Sequence, residues 1–150
     1  MKEYMNMDSL KSTIREIYDA QIESYKDEPY FECTMYADED ILEDEVNRMA
    51  ERLNADMKKY LHQDNHQIVG NFNNVERDYI YNDKCGSYAD FRDMVRRLDE
   101  GVDDERTNED RDWLTSWFWD TFGTWAIGYN LSTYIEEELY VAERENAEAV

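Results

Sequence analysis

Leu42, Val46, Met49, Ala50, Leu53, Met57, Tyr60 and Leu61 recur every three or four residues, which gathers all eight on one side of a helix. A stripe running from Asp38 to about Leu61 must be buried against other elements, and it sets the expected class of fold as mainly α. The flanking charges agree with a helix over this range. Asp38, Glu39, Asp40, Glu43, Asp44 and Glu45 crowd its first turns and Lys58 and Lys59 lie in its last, which suits the helix dipole at both ends.

Three further segments repeat the helical period. Leu10, Ile14, Ile17, Tyr18, Ile22 and Tyr25 mark a helix that Asp8 or Ser9 can cap, and that ends before Pro29. Ser87 followed by Asp90 resembles a capping box ahead of Phe91, Met94, Val95 and Leu98, with Gly101 as the stop. Val102 to Asp112 reads as an acidic connector, and Thr107 as the cap of a helix carrying Trp113, Trp117, Phe118 and Trp119. That helix is apolar on more than one side, so it belongs in the core or at an interface. Gly123 and Gly128 interrupt the pattern before it resumes through Leu131, Ile135, Leu139 and Ala142.

Two places break the helical rule. Residues 30–36 alternate as a short strand would, with Phe31, Cys33 and Met35 on one face. Residues 66–81 form either a β-hairpin turning at Asn73 and Asn74 or, in part, a short helix from Val75. The expectation is one helical domain over 1–150, with a small hairpin or short strands in these two places. At this length a chain buries roughly two-thirds of the surface it exposes unfolded, so no metal or disulfide is required to hold it together.

Charge narrows the function. The chain carries 37 Asp and Glu against 16 Lys and Arg, a net −21. Disordered acidic tails lack aromatic residues, whereas this chain has 12 Tyr, 5 Phe and 4 Trp, so the charge rides on a folded body. Such a surface repels nucleic acid and anionic membrane, and direct binding to either is not expected. Salt adaptation would also produce acidity, but 11 Asn and 12 Tyr against 9 Ala do not fit that composition. Met1 to Asp8 contains no apolar run and no stretch approaches the ~18 residues that span a bilayer, so the cytoplasm is the expected compartment.

Chemistry is sparsely encoded. His62 and His66 stand one helical turn apart, but the helix ends near Leu61 and no Glu follows His62, so neither a metal nor a cofactor is expected. Cys33 and Cys85 read as free thiols. Asp103-Asp104-Glu105 and Asp38-Glu39-Asp40 lack the alternation and central Gly of a calcium loop. Neither a nucleophile motif nor a phosphate-binding glycine loop is present, and the chain is not expected to be an enzyme.

What remains is a negative surface in search of a positive partner. At one charge per ~1.7 Å of duplex axis, 21 charges correspond to about 36 Å of DNA, roughly one helical turn. In size, in charge, in the acidic helix Asp38 to Glu45, in the run Asp99 to Asp112 and in Glu136-Glu137-Glu138, the chain resembles at class level the small acidic phage proteins that mimic nucleic acid. Those proteins inhibit restriction enzymes, CRISPR effectors or other host DNA-binding proteins. The resemblance implies an inhibitor in the host cytoplasm that meets the Lys and Arg of a nucleic-acid channel with its carboxylates. The expected partner-binding residues are Asp38, Glu39, Asp40, Glu43, Asp44, Asp103, Asp104, Glu105, Glu136 and Glu137, with Trp119 as an apolar anchor. A homodimer through the Trp-rich segment is a further expectation. The alternative is an acidic adaptor that binds a protein partner through exposed aromatics, without mimicry. A third reading is an inhibitor that acts away from the nucleic-acid channel or dimerises its target.

Overall fold

A computed structural model describes residues 2–25, 39–62 and 80–122 of the chain. The described residues are 86% helical and include no strand, so the fold is mainly α. Helix α1 spans Met7–Tyr25, α2 Glu39–His62, α3 Tyr88–Asp99 and α4 Glu105–Phe122, and a π-helical turn at Ile80–Cys85 precedes α3. The expected strand at 30–36, the hairpin over 66–79 and the helix from Leu131 lie outside the described residues. Ile80 and Tyr81, where the hairpin was expected to end, belong to the π-helical turn.

The chain divides into two compact units, and α1 and α2 each contribute residues to both. One comprises Lys11–Ala50 and Gly123–Val150. Its described core is made of Ile14, Ile17, Tyr18 and Ile22 from α1 and Leu42, Val46, Met49 and Ala50 from α2, all from the two predicted stripes. Arg15 grips both carboxylate oxygens of Glu39 and also reaches Asp19.

The other unit comprises Met1–Leu10 and Glu51–Phe122. Leu53, Met57, Tyr60 and Leu61 of α2, Phe91, Met94, Val95 and Leu98 of α3, and Leu114, Trp117 and Phe118 of α4 form its core. Trp117 stacks between Tyr60 and Trp113, with ring centroids 5.6 and 6.4 Å away.

The helix ends show how local chemistry places these elements. Ser87 caps α3 by accepting the Asp90 N–H at 3.1 Å. Gly101 ends α3 with φ +68°, the Gly101 N–H bonding Leu98 O at 3.1 Å and the Val102 N–H bonding Arg97 O at 3.0 Å, a complete Schellman motif. Two expected caps are corrected. The cap of α1 is Asn6, whose Oδ1 accepts the Ser9 N–H, because Asn6 is already held outside the helix by its own bond to Thr115. The cap of α4 is Asp104, which accepts the Thr107 N–H at 2.8 Å, so the helix begins at Glu105. Thr107 is buried one turn further in and is occupied by Arg97.

Residues 2–6 are the part that periodicity did not reveal. The Tyr4 N–H donates to Asn54 Oδ1 and Asn54 Nδ2 donates to Lys2 O, both at 2.8 Å, with Asn54 buried. Arg111 Nε donates to Glu3 O, and the Asn6 N–H donates to Thr115 Oγ1. With the Tyr4 hydroxyl donating to Asp99 of α3, this short segment joins α2, α3 and α4 of its unit.

Candidate functional site

The expected acidic connector is mostly helix. Only Glu100 to Asp104 link α3 to α4, and residues 105–112 form the first two turns of α4. Helical geometry then sorts the carboxylates that the sequence presents as one run. Glu105, Glu109, Asp112 and Asp120, separated by four, three and eight residues, fall along one exposed face. At 1.5 Å per residue this ridge is about 22 Å long. None of the four makes an ion pair among the described residues, and Asp112 Oδ1 accepts a 2.6 Å bond from Asn6 Nδ2.

Asp103 and Asp104 stand exposed at the amino end of that ridge. Asp103 receives Asn108 Nδ2 at 2.9 Å. The backbone and hydroxyl of Thr107 hold the Asp104 carboxyl below its ordinary range, so its charge persists into acid. Asp110 points the other way. It is buried against Arg97, with Oδ2 at 2.8 Å from Nη2, and lies 3.2 Å from Lys84 Nζ.

In the other unit, Glu39, Asp40, Glu43 and Asp44 are all exposed on the first turns of α2. The bidentate grip of Arg15 holds the Glu39 carboxyl below its usual range and neutralises part of that cluster. Asp38, Glu136 and Glu137 lie outside the described residues. Trp119 is half-buried, with its ring edge-on to Phe118 at 4.9 Å and its Nε1–H buried without an acceptor among the described residues.

Arginines on α3 have different fates. Arg97 is buried: desolvation alone would lower its pKa, but Asp110 and Asp93 outweigh it and hold it raised. Arg96 bridges Asp93 and Glu100 on the surface. Arg92 makes no ion pair among the described residues and instead lies 5.9 Å from the centre of the Tyr88 ring. It lines an open cleft of about 560 Å³ whose walls include Leu61, His62, Tyr88, Phe91 and Val95.

His62, the sequence's candidate metal ligand, sits in that cleft with both ring nitrogens on oxygen acceptors. Nδ1 is 2.6 Å from Lys58 O and Nε2 is 2.9 Å from Asp99 Oδ2, so neither nitrogen faces outward. Asp99 Oδ1 accepts the Tyr4 hydroxyl at 2.6 Å; burial first, and then this carboxylate, push the Tyr4 pKa upward. His66 and Cys33 lie outside the described residues. Cys85 is half-buried, and burial raises its thiol pKa.

Among the described residues no helix is long and apolar enough to cross a membrane. Comparison with protein-family models, with curated proteins and with solved structures found no match to this chain.

Proposed function

We propose that the chain is an inhibitor that binds a basic nucleic-acid-binding enzyme, of the restriction or CRISPR-effector type, and fills its nucleic-acid site with a DNA-like negative surface. The observation that carries this reading is the unpaired ridge Glu105, Glu109, Asp112 and Asp120 on α4, extended by Asp103 and Asp104. Carboxylates neutralised by neighbouring arginines, such as Glu39, have less charge to offer a partner. Those on the ridge keep theirs, on a rigid helix, at spacings set by the helical repeat. The mechanism is competition: the ridge meets the Lys and Arg that would otherwise hold phosphates, with charge-assisted hydrogen bonds and no chemical step.

The test is capture of the partner from host lysate on immobilised protein, followed by competition with its own DNA or RNA across a salt series. Displacement by nucleic acid together with affinity falling steeply as salt rises supports mimicry. Simultaneous binding of nucleic acid and this protein rejects it in favour of an inhibitor acting elsewhere. The adaptor reading draws on one observation, Tyr88, which is 54% exposed and the sole large hydrophobic exposed among the described residues. Affinity that is insensitive to salt and lost on Tyr88→Ala would favour it.

A further inference from the structure

We propose that the pocket between residues 2–3 and the start of α4 is a binding site for a small zwitterion, an amino acid that offers a carboxylate and an ammonium group together. The pocket has a volume of about 330 Å³ and is walled by Lys2, Glu3, Gly101, Asp103, Asn108 and Arg111, with no apolar side chain among them. That size lies at the lower end of the ~300–1,000 Å³ typical of small-molecule sites, and the polar lining calls for a polar occupant. Arg111 is the anchor. The residue is only 7% exposed, yet its Nε donates to Glu3 O and its Nη1 to Asn108 Oδ1, both neutral oxygens, and Nη2 makes no hydrogen bond among the described residues. A guanidinium buried this far without a carboxylate partner is costly, and in a chain with 37 Asp and Glu its lack of one among the described residues marks a charge kept for a ligand.

Both signs of charge are present and held apart. Asn108 Nδ2 donates to Asp103 Oδ1 at 2.9 Å while Asn108 Oδ1 accepts Arg111 Nη1 at 2.7 Å, so one side-chain amide stands between the anion and the cation. Lys2 adds a second cation. It passes Gly101, where a Cβ would lie 3.0 Å from its Nζ, and reaches Glu100 O at 3.4 Å, a long bond that leaves its other donors free. Glu3, exposed and without an ion pair among the described residues, adds a second carboxylate to the lining. With two groups of each sign, a simple anion or a simple cation meets repulsion as well as attraction. A zwitterion sets each of its groups against the opposite charge and, being neutral overall, is not driven off by the net −21 of the chain.

The full chain can be titrated with glycine, 4-aminobutyrate, acetate and methylammonium while backbone amide shifts are followed by NMR. Glycine or 4-aminobutyrate should saturate with a Kd of about 1 mM or tighter, at least tenfold tighter than either single ion, with the largest shifts between Gly101 and Arg111. Preference between the two zwitterions tells how far apart the site holds the charges. Lys2→Gln and Asp103→Asn should each weaken zwitterion binding about tenfold with no change in melting temperature, since both side chains are exposed. The proposal is overturned if neither zwitterion saturates by about 10 mM, if acetate or methylammonium binds as well as the zwitterions, or if Asp103→Asn binds them like the wild type.

Discussion

Arg97 and Asp110 meet at 2.8 Å with both side chains more than nine-tenths buried, one from the last turn of α3 and the other from the second turn of α4. Thr107 and Asp93 take two other guanidinium nitrogens, at 2.9 and 3.0 Å, and Lys84 holds the second oxygen of Asp110. Removing one partner strands the other charge away from water. Arg97→Met should therefore cost about 3–5 kcal/mol in urea unfolding. The double variant Arg97→Met/Asp110→Leu should recover much of that loss, because it leaves no unpaired ion. A double variant no more stable than the single one would contradict this account.

Gly101 occupies the left-handed region at φ +68°, where a Cβ costs about 1–2 kcal/mol. That Cβ would also meet the Lys2 side chain, 3.0 Å away at Nζ, but a flexible chain end can move aside. Gly101→Ala should lower the unfolding midpoint by the backbone cost, and Gly101→Asn by less. Equal loss from both would point to the Lys2 contact instead.

The carboxyls of Asp93 and Asp104 are held low by hydrogen bonds, to Arg96 and Arg97 in one case and to Thr107 in the other. A folded-state pKa below the unfolded value of about 3.9 contributes stability above that value, lost as the pH falls through the lowered one. Urea midpoints should thus stay level down to about pH 5 and then drop, and Asp104→Asn should flatten the drop. Tyr4 has the opposite sign, since its raised pKa makes the fold lose stability as the pH rises past about 10.

Trp119 carries a buried N–H with no acceptor among the described residues, a cost of about 1–3 kcal/mol relative to a ring without one. Trp119→Phe keeps a ring beside Phe118 and removes that donor, so it should unfold within about 1 kcal/mol of the wild type, well above Trp119→Ala. If Trp119 also anchors a partner, both variants weaken binding; if not, neither does.

Charge reversal tests the proposed surface most cleanly at Glu105 and Glu109. Reversal at Asp104 also removes the cap of α4, which confuses folding with binding. Glu105→Lys/Glu109→Lys should reduce affinity for a captured basic partner by at least tenfold at low salt. Glu43→Lys/Asp44→Lys, in the other unit, asks the same of α2. Unchanged binding in both would remove these carboxylates from the interface.

The sequence made the helices legible wherever apolar side chains kept their period. α1, α2 and α3 follow such stripes, and Ser87 and Gly101 perform the cap roles their types suggest, since both act within one turn of chain. The acidic run from Asp103 to Asp112 was legible as charge but not as geometry. Helical rotation turns Glu105, Glu109 and Asp112 outward and Asp110 inward, and placing the helix start required knowing that Asp104 rather than Thr107 is the cap. The cleft was not legible at all. Tyr88, Arg92 and His62 are ordinary residues in sequence, and only the meeting of α2 with α3 makes them neighbours.

The bonds of residues 2–6 span 50 residues to Asn54, 95 to Asp99 and 109 to Thr115. Contacts so distant along the chain close large loops before they return any energy, which slows folding. During synthesis this segment leaves the ribosome long before Thr115 exists. The unit it completes must therefore assemble after translation has passed α4, and until then Tyr4 and Met5, both buried in the finished fold, are open to chaperones and proteases.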